Sequence, residues 1–318
     1  MNKKLAKMIR RRVLQSLLTI FIVTIIIFGM MQFIPGDPIV NFLGTTATKE
    51  QIAYYTELFG YDKPVYVQYF NWITGLFRGE MGFSIQFQKE ISEVLFPRLG
   101  ITMSFVIIAF ILSVVLGVTI GIVSALNRGK PIDTFLNFLS NIGVSVPVFW
   151  TGIVLVLIFG VKLKWLPTYG IKHLSDGFGI WLKYLILPVT VCGMSTLASF
   201  SRSTRTNMLE VINQEYVLTA KAKGVKHIKI VLKHQLRNAL VPLVTVLVSR
   251  FASMIGSTVL LESIFNIPGF GNMMITAISN RDHMVVANGV LILAVFVSLA
   301  NLFCDILYGI LDPRIRDI

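Results

Sequence analysis

Residues Ile101–Leu126 read ITMSFVIIAFILSVVLGVTIGIVSAL, a run of 26 residues without one Asp, Glu, Lys or Arg. In water such a segment has no face to solvate. In a bilayer, where about 20 apolar residues cross the hydrocarbon core, it is long enough to span. Five further stretches qualify: Val13–Ile34, Phe135–Val161, Tyr184–Ser201, Asn238–Leu261 and Val285–Ile310. Hydrophobic residues make up 54% of the 318 and charged residues 14%, the latter about half the share of a soluble domain. The sequence therefore predicts one all-α integral membrane protein with six transmembrane helices. Residues 1–12 form an N-terminal tail, 13–34 the first span, 35–100 a polar loop or cap, 101–310 the core and 311–318 a second tail. Within the core, 207–237 is a polar interruption.

The net charge of +13 raises nucleic acid as a partner, but its placement argues against one. Eighteen of the 29 Lys and Arg lie in residues 1–12, 127–134, 202–237 and 311–318, against nine in 35–97, 162–183 and 262–284. Lys and Arg collect on the cytoplasmic side of a membrane. Both termini and the 202–237 loop are thus expected in the cytoplasm, and the excess charge reports topology. The first apolar run, about 20 residues long, exceeds the hydrophobic core of a cleaved leader and ends without a small-residue cleavage pattern. It is read as a retained anchor.

The 35–98 segment is rich in aromatics, among them Tyr54, Phe59, Tyr66 and Trp72. Short helices are expected over Lys49–Leu58, capped by Thr48, and near Val67–Phe77. Either a cap that meets a substrate-delivering partner or an aromatic belt at the membrane interface fits this composition. Pro147, Pro188 and Pro242 interrupt apolar segments and each removes a backbone hydrogen bond. Pore lining and ordinary packing kinks are both consistent with them.

The groups an enzyme needs are missing. His173, His227, His234 and His283 are dispersed, no phosphate-binding loop is present, and Cys192 and Cys304 sit in apolar runs as small hydrophobes. No metal, cofactor or ATP site is expected. Arg250 lies near the middle of the fifth run, where lipid exposure is costly, so a place facing a pore or a neighbouring helix is expected over a side chain that snorkels to the interface. Asp305, one turn from the end of the last run, is expected to cap it or to pair with Arg314 or Arg316.

The polar interruption contains Glu215-Tyr216-Val217-Leu218-Thr219-Ala220-Lys221-Ala222-Lys223-Gly224. A helix is expected here, ended by Gly224, which takes a left-handed conformation without strain. A second basic helix is expected over Lys226–Leu236. Tyr216, Ala220 and Lys223 recur at helical spacing, with Val217 and Leu218 adding apolar contact area. On composition alone, a headgroup-binding basic loop competes with a protein-docking hairpin.

Together with His234-x-Leu236-Arg237-Asn238-Ala239-Leu240-x-Pro242, this segment resembles the coupling loop of ABC importer permeases, in the dipeptide/oligopeptide/nickel branch. Leu218, Thr219, His234 and Arg237 depart from the general family pattern, while Thr219-Ala220-Lys221-Ala222-Lys223-Gly224 follows the peptide branch with Lys221 for Arg. Ile34-Pro35-Gly36-Asp37-Pro38, Arg78-Gly79-Glu80-Met81-Gly82-x-Ser84, Glu262-Ser263-Ile264-Phe265-Asn266-Ile267-Pro268-Gly269 and Asp312-Pro313-Arg314-Ile315-Arg316 extend the resemblance along nearly the whole chain.

The resemblance implies a type I importer permease in the cell membrane of a prokaryote. Its implied partners are a second, similar permease, two cytoplasmic ATP-binding subunits that use ATP and Mg²⁺, and an extracytoplasmic solute-binding protein. Glu215–Gly224 would be the coupling helix, with Tyr216, Ala220 and Gly224 as its docking core, Lys221 and Lys223 at the rim, and Glu215, Thr219 and Ala222 among its residues. Pro147, Arg250, Glu262, Phe265, Pro268 and Gly269 are pore or gate candidates. Peptides are the expected cargo, with nickel or a metal chelate as the alternative. An ion-coupled carrier or channel and a membrane scaffold are the readings from other classes.

Overall fold

The computed structural model describes residues 3–33, 38–44, 47–240 and 242–311. Helix dominates, as it must where lipid offers no partner to a backbone amide. After α1 (Lys3–Gln32) come α2 (Pro38–Leu43), α3 (Lys49–Leu58) and α4 (Val65–Arg78). A small antiparallel hairpin of β1 (Phe83–Ser84) and β2 (Lys89–Glu90), absent from the sequence reading, leads into α5 (Ile91–Leu126). Next are α6 (Pro131–Ser145) and α7 (Val148–Leu155), the latter running on as a π-helical turn over Val156–Lys162. α8 (Phe178–Ile212), α9 (Glu215–Ala222) and α10 (His227–Lys229) follow, then a π-helical segment Ile230–Leu236. α11 (Arg237–Ala239), α12 (Leu243–Ile264), α13 (Phe270–Ser279) and α14 (His283–Leu311) complete the order.

Five helices, α1, α5, α8, α12 and α14, have the length and apolarity to cross a bilayer. The α6–α7 pair adds a crossing only if its 105° bend lies within one span. That bend falls at Pro147, which opens α7 in an extended conformation and has no N–H to continue the ladder of α6. The Arg12 guanidinium Nε lies 3.4 Å from Asp305 Oδ2, so the early part of α1 meets the late part of α14. Ends that meet require an even number of crossings, so the bent pair spans and the count is six. Arg314 and Arg316, the partners expected for Asp305, lie outside the described residues, as do the motifs at 34–37 and 312–316.

The chain divides into two compact units. One comprises Met103–Ile267 with Met1–Arg12 and Ala300–Ile318. Here α6, α7 and α12 pack along α8, and α5 approaches α8 through glycine. A Cβ at Gly117 would lie 2.7 Å from the Leu197 carbonyl oxygen, and one at Gly121 would lie 2.6 Å from that of Ser201. Only hydrogen fits. Small residues that let backbones approach are what hold helices together in lipid, where burial against a neighbour gains little over burial in acyl chains. Ser113 Oγ donates to the Gly193 carbonyl at 2.8 Å in the same seam.

The other unit comprises Val13–Thr102 and Pro268–Leu299. Thr48 caps α3 through a reciprocal capping box with Gln51. α4 ends at Gly79, whose φ of 82° is left-handed. Trp72 is buried, stacks on Phe28 at 5.7 Å and donates its indole N–H to Asn288 Oδ1. Asn288 in turn donates to the Met81 carbonyl at 3.0 Å. The buried Asp282 carboxylate accepts from Ser84 Oγ at 2.6 Å and the Gln86 amide at 3.0 Å, and caps α14 through the Val285 amide. The Gly79–Ser84 motif is therefore a lock that fastens the loop to the start of α14. A cavity of about 310 Å³ opens in this unit between Phe28, Trp72, Phe59 and Phe83, with Glu57 and Glu80 on its lining.

Candidate functional site

The basic segment folds as a helical hairpin on the end of α8. Its first arm, α9, closes by the hydrogen-bond pattern that a left-handed glycine permits. Gly224 has φ 69°, its amide donates to the Lys221 carbonyl, and the Val225 amide reaches back to the Ala220 carbonyl at 3.2 Å. Both bonds satisfy carbonyls that a helix end leaves free. The chain then reverses into α10 and the π-helical segment. The expected second helix is thus mostly π-helical, with hydrogen bonds that span one residue more than those of an α-helix.

Two small cores hold the hairpin. Val217, Ala220 and Ile230 are buried together, with Val211 and Val225 packed against them. Val231 and Ala239 join Ala125 of α5 and Met208 of α8 in the second. Asn207 of α8 donates its side-chain amide to the Ala239 carbonyl at 3.1 Å. The hairpin is seated on helix ends on both flanks and is not a free loop.

This seating revises the expected docking face. Ala220 and Val217 point into the hairpin's own core, so neither is available to a partner; the small Ala220 side chain is what lets the two arms approach. Glu215, Thr219, Lys221, Ala222, Lys223 and Gly224 are exposed, and Tyr216 is 41% exposed. Leu218, Ile228 and Leu232 are more than half exposed, with the exposed Lys221, Lys223, Lys226, Lys229 and Lys233 around them in sequence. Ile228 and Leu232 were not singled out from sequence. Their spacing of four on a basic segment is the signal that marks them.

The pore and gate candidates are dispersed. Pro147 is exposed at the α6–α7 bend. Arg250 is half-buried in the first half of α12, on which Ser249, Ser253, Gly256, Leu260 and Ser263 are exposed. Glu262 and Phe265 are buried at 0% and 1% exposure, and the Phe265 carbonyl accepts from the Gly170 amide at 2.6 Å. Glu262 and Phe265 therefore do not line an open surface of the chain. Pro268 is exposed, and Gly269 is buried at the start of α13. Among the described residues, no group of three or more His, Cys, Asp or Glu is placed to hold a metal ion.

Residues 117–317 match the family described as binding-protein-dependent transport system inner membrane component, and residues 5–109 match the N-terminal region of such membrane components. The probable peptide ABC transporter permease protein y4tP of Sinorhizobium fredii is 37% identical over 308 residues, covering 97% of this chain and 98% of that protein. The oligopeptide transport system permease protein AppB of Bacillus subtilis is 37% identical over 315 residues, covering 98% and 100%. Among solved structures, a chain of the inward-facing MetNI methionine ABC transporter matches with a TM-score of 0.57 at 16% identity, covering 70% of this chain and 97% of that one. A chain of an amino acid ABC transporter gives 0.51 at 14% identity, covering 69% and 94%. Those likenesses carry the fold, that of type I ABC importer permeases. The chain belongs to the family of binding-protein-dependent transport system inner membrane components and is a transmembrane permease subunit of an ABC transporter.

Proposed function

We propose that this permease imports di- and oligopeptides, driven by ATP that cytoplasmic partner subunits hydrolyse with Mg²⁺. The observation that carries the reading is the seated hairpin: an exposed apolar set, Leu218, Ile228 and Leu232, on a rigid basic body continuous with α8. A surface of that kind suits the groove of a soluble partner better than a flat sheet of lipid headgroups, which needs only the lysines. The peptide cargo rests on the names of the relatives, which call them peptide and oligopeptide permeases.

In this reading the hairpin and both termini face the cytoplasm of a prokaryotic cell, in keeping with the placement of Lys and Arg. A second, similar permease completes the conduit, two ATP-binding subunits grip the hairpins, and an extracytoplasmic solute-binding protein delivers cargo. The polar stripe of α12 around Arg250 lines the conduit or the permease–permease seam. The chain itself binds no cofactor. Closure of the ATP-binding subunits moves the hairpin, tilts α8 and α12, and alternates access between the two sides.

Reconstitution of the complex in proteoliposomes tests the reading. Uptake of a tetrapeptide that requires ATP, the binding protein and this chain together is expected. Uptake by this chain alone under an ion gradient would overturn it.

A further inference from the structure

Outside the hairpin, the first turn of α6 holds a buried charge with a full set of donors, Asp133, 4% exposed. Its Oδ1 accepts from Ser124 Oγ at 2.5 Å, Arg205 Nε at 2.7 Å and Asn137 Nδ2 at 2.9 Å. Its Oδ2 accepts from Arg205 Nη2 at 2.9 Å and the Gly129 amide at 3.1 Å. The donors come from the last turn of α5, the α5–α6 turn, α6 itself and α8. One carboxylate thus gathers three helices and the turn between two of them.

The Arg205 fork makes the arrangement directional. A guanidinium that bonds both oxygens of one carboxylate fixes angle as well as distance, which a lysine or a neutral amide would not. Arg205 also stands at a particular place on α8. Seven residues, about 10 Å of helix, separate it from Ile212, after which the hairpin begins. Nearer the membrane, the contacts of α6 with α8 include the uncharged Ser140–Ser201 hydroxyl pair at 3.0 Å and the approach of Gly143 to Ala198. The charged joint therefore lies at the hairpin end of α8, where a lateral pull arrives first.

We propose that Asp133 and Arg205 are a positioning pair that makes the α5–α6 turn move as one body with the hairpin end of α8, so that displacement of the hairpin reaches α6 and the Pro147 bend. This rests on the ATP-driven reading above. Removing Arg205 leaves the buried Asp133 carboxylate without its counter-charge, and neutralising Asp133 leaves the partly buried Arg205 without its own. The joint then opens and α8 swings without carrying α6.

Double electron–electron resonance on the assembled complex in lipid nanodiscs tests this. Spin labels go on Leu139→Cys in α6 and Glu210→Cys at the end of α8, both exposed, with Cys192→Ala and Cys304→Ala. With Asp133 and Arg205 intact, the Leu139–Glu210 distance is expected to be the same in the nucleotide-free and ADP–vanadate-trapped states. A difference of more than about 5 Å, one helical turn, would overturn the proposal without any joint variant having to fold. In Asp133→Asn and Arg205→Met the distance is expected to become nucleotide-dependent while ATP hydrolysis continues. Nucleotide independence in both variants would also overturn it. A purely structural role would lower the melting temperature but create no nucleotide-dependent distance. Failure of the unmodified complex to hydrolyse ATP would strike the ATP-driven reading, and this inference with it; a hydrolysing complex with an unchanged distance in both variants strikes this inference alone.

Discussion

The Asn238 side-chain amide donates to the Tyr216 hydroxyl and to the His234 carbonyl, both at 2.9 Å. The first turn of α9 is thereby tied to the segment that enters α12, across the open side of the hairpin. Tyr216, expected from sequence to be pure docking surface, is also a strut.

Breaking the strut loosens the hairpin locally. Tyr216→Phe removes the acceptor and Asn238→Ala the donor, each costing about 1 kcal/mol for a partly exposed bond. The expected result is a several-fold rise in amide hydrogen exchange over residues 216–224, with an unchanged melting temperature for the whole chain. Equal exchange in variant and parent would show that the two arms hold together through Val217, Ala220 and Ile230 alone.

Gly224 tests the turn. Its φ of 69° is open to glycine but costs a β-branched residue at least about 1–2 kcal/mol. No heavy atom stands within 4 Å of the site a Cβ would occupy, so the penalty of Gly224→Val is conformational and not a clash. The variant should insert and assemble in the membrane yet lose cargo-stimulated ATP hydrolysis. Gly224→Asn, which tolerates the left-handed region better, should retain part of it.

The α5–α8 seam is the opposite case, limited by space. At Gly121 even a methyl group would stand 2.6 Å from the Ser201 carbonyl oxygen and from Thr204 Cβ. Gly121→Leu is expected to cost at least about 1–3 kcal/mol, the usual range for overpacking, and to lower the thermal midpoint in detergent. The control Gly100→Leu, where no heavy atom lies within 4 Å, should leave it unchanged.

What the sequence disclosed follows the range of the interactions involved. The Thr48 cap and the Gly224 turn were legible because their partners lie within a few residues. The six spans were legible because each is a continuous apolar run. The inward turn of Val217 and Ala220 was not, since helical spacing shows which residues share a face but not which face is covered. The Asp133–Arg205 pair joins residues 72 apart, and nothing local to either distinguishes them from surface charges. Pro147 announced a break, while its 105° angle depends on what α6 and α7 each pack against along α8.

The lock on the loop unit should fail at Asp282. Asp282→Ala withdraws the acceptor from Ser84 Oγ, from the Gln86 amide and from the first turn of α14. The buried Ser84 hydroxyl, 0% exposed, then lacks its carboxylate partner, a loss of about 1–3 kcal/mol, with the lost cap adding about 1 kcal/mol. Limited proteolysis should cut near Gln86–Lys89 faster than in the parent. Asp282→Asn, which still offers an acceptor oxygen, should show a smaller change.

The stripe on α12 gives the last prediction. Ser249, Ser253, Gly256 and Ser263 are exposed on a helix whose Arg250 would cost about 3 kcal/mol against acyl chains. The exposed residues in the middle of α5, Ile107, Ile111, Leu112, Val115 and Leu116, are purely aliphatic and cost nothing there. The two helices should therefore face different surroundings, water or protein for α12 and lipid for α5. Cysteines placed at Ser253 and Gly256 are expected to react with a membrane-impermeant maleimide in the assembled complex, at a rate that changes with nucleotide. Cysteines at Leu112 and Val115 should stay unlabelled in every state. If Leu112→Cys reacts and Ser253→Cys does not, the conduit lies along α5, and the polar stripe of α12 belongs to a permanent helix–helix contact.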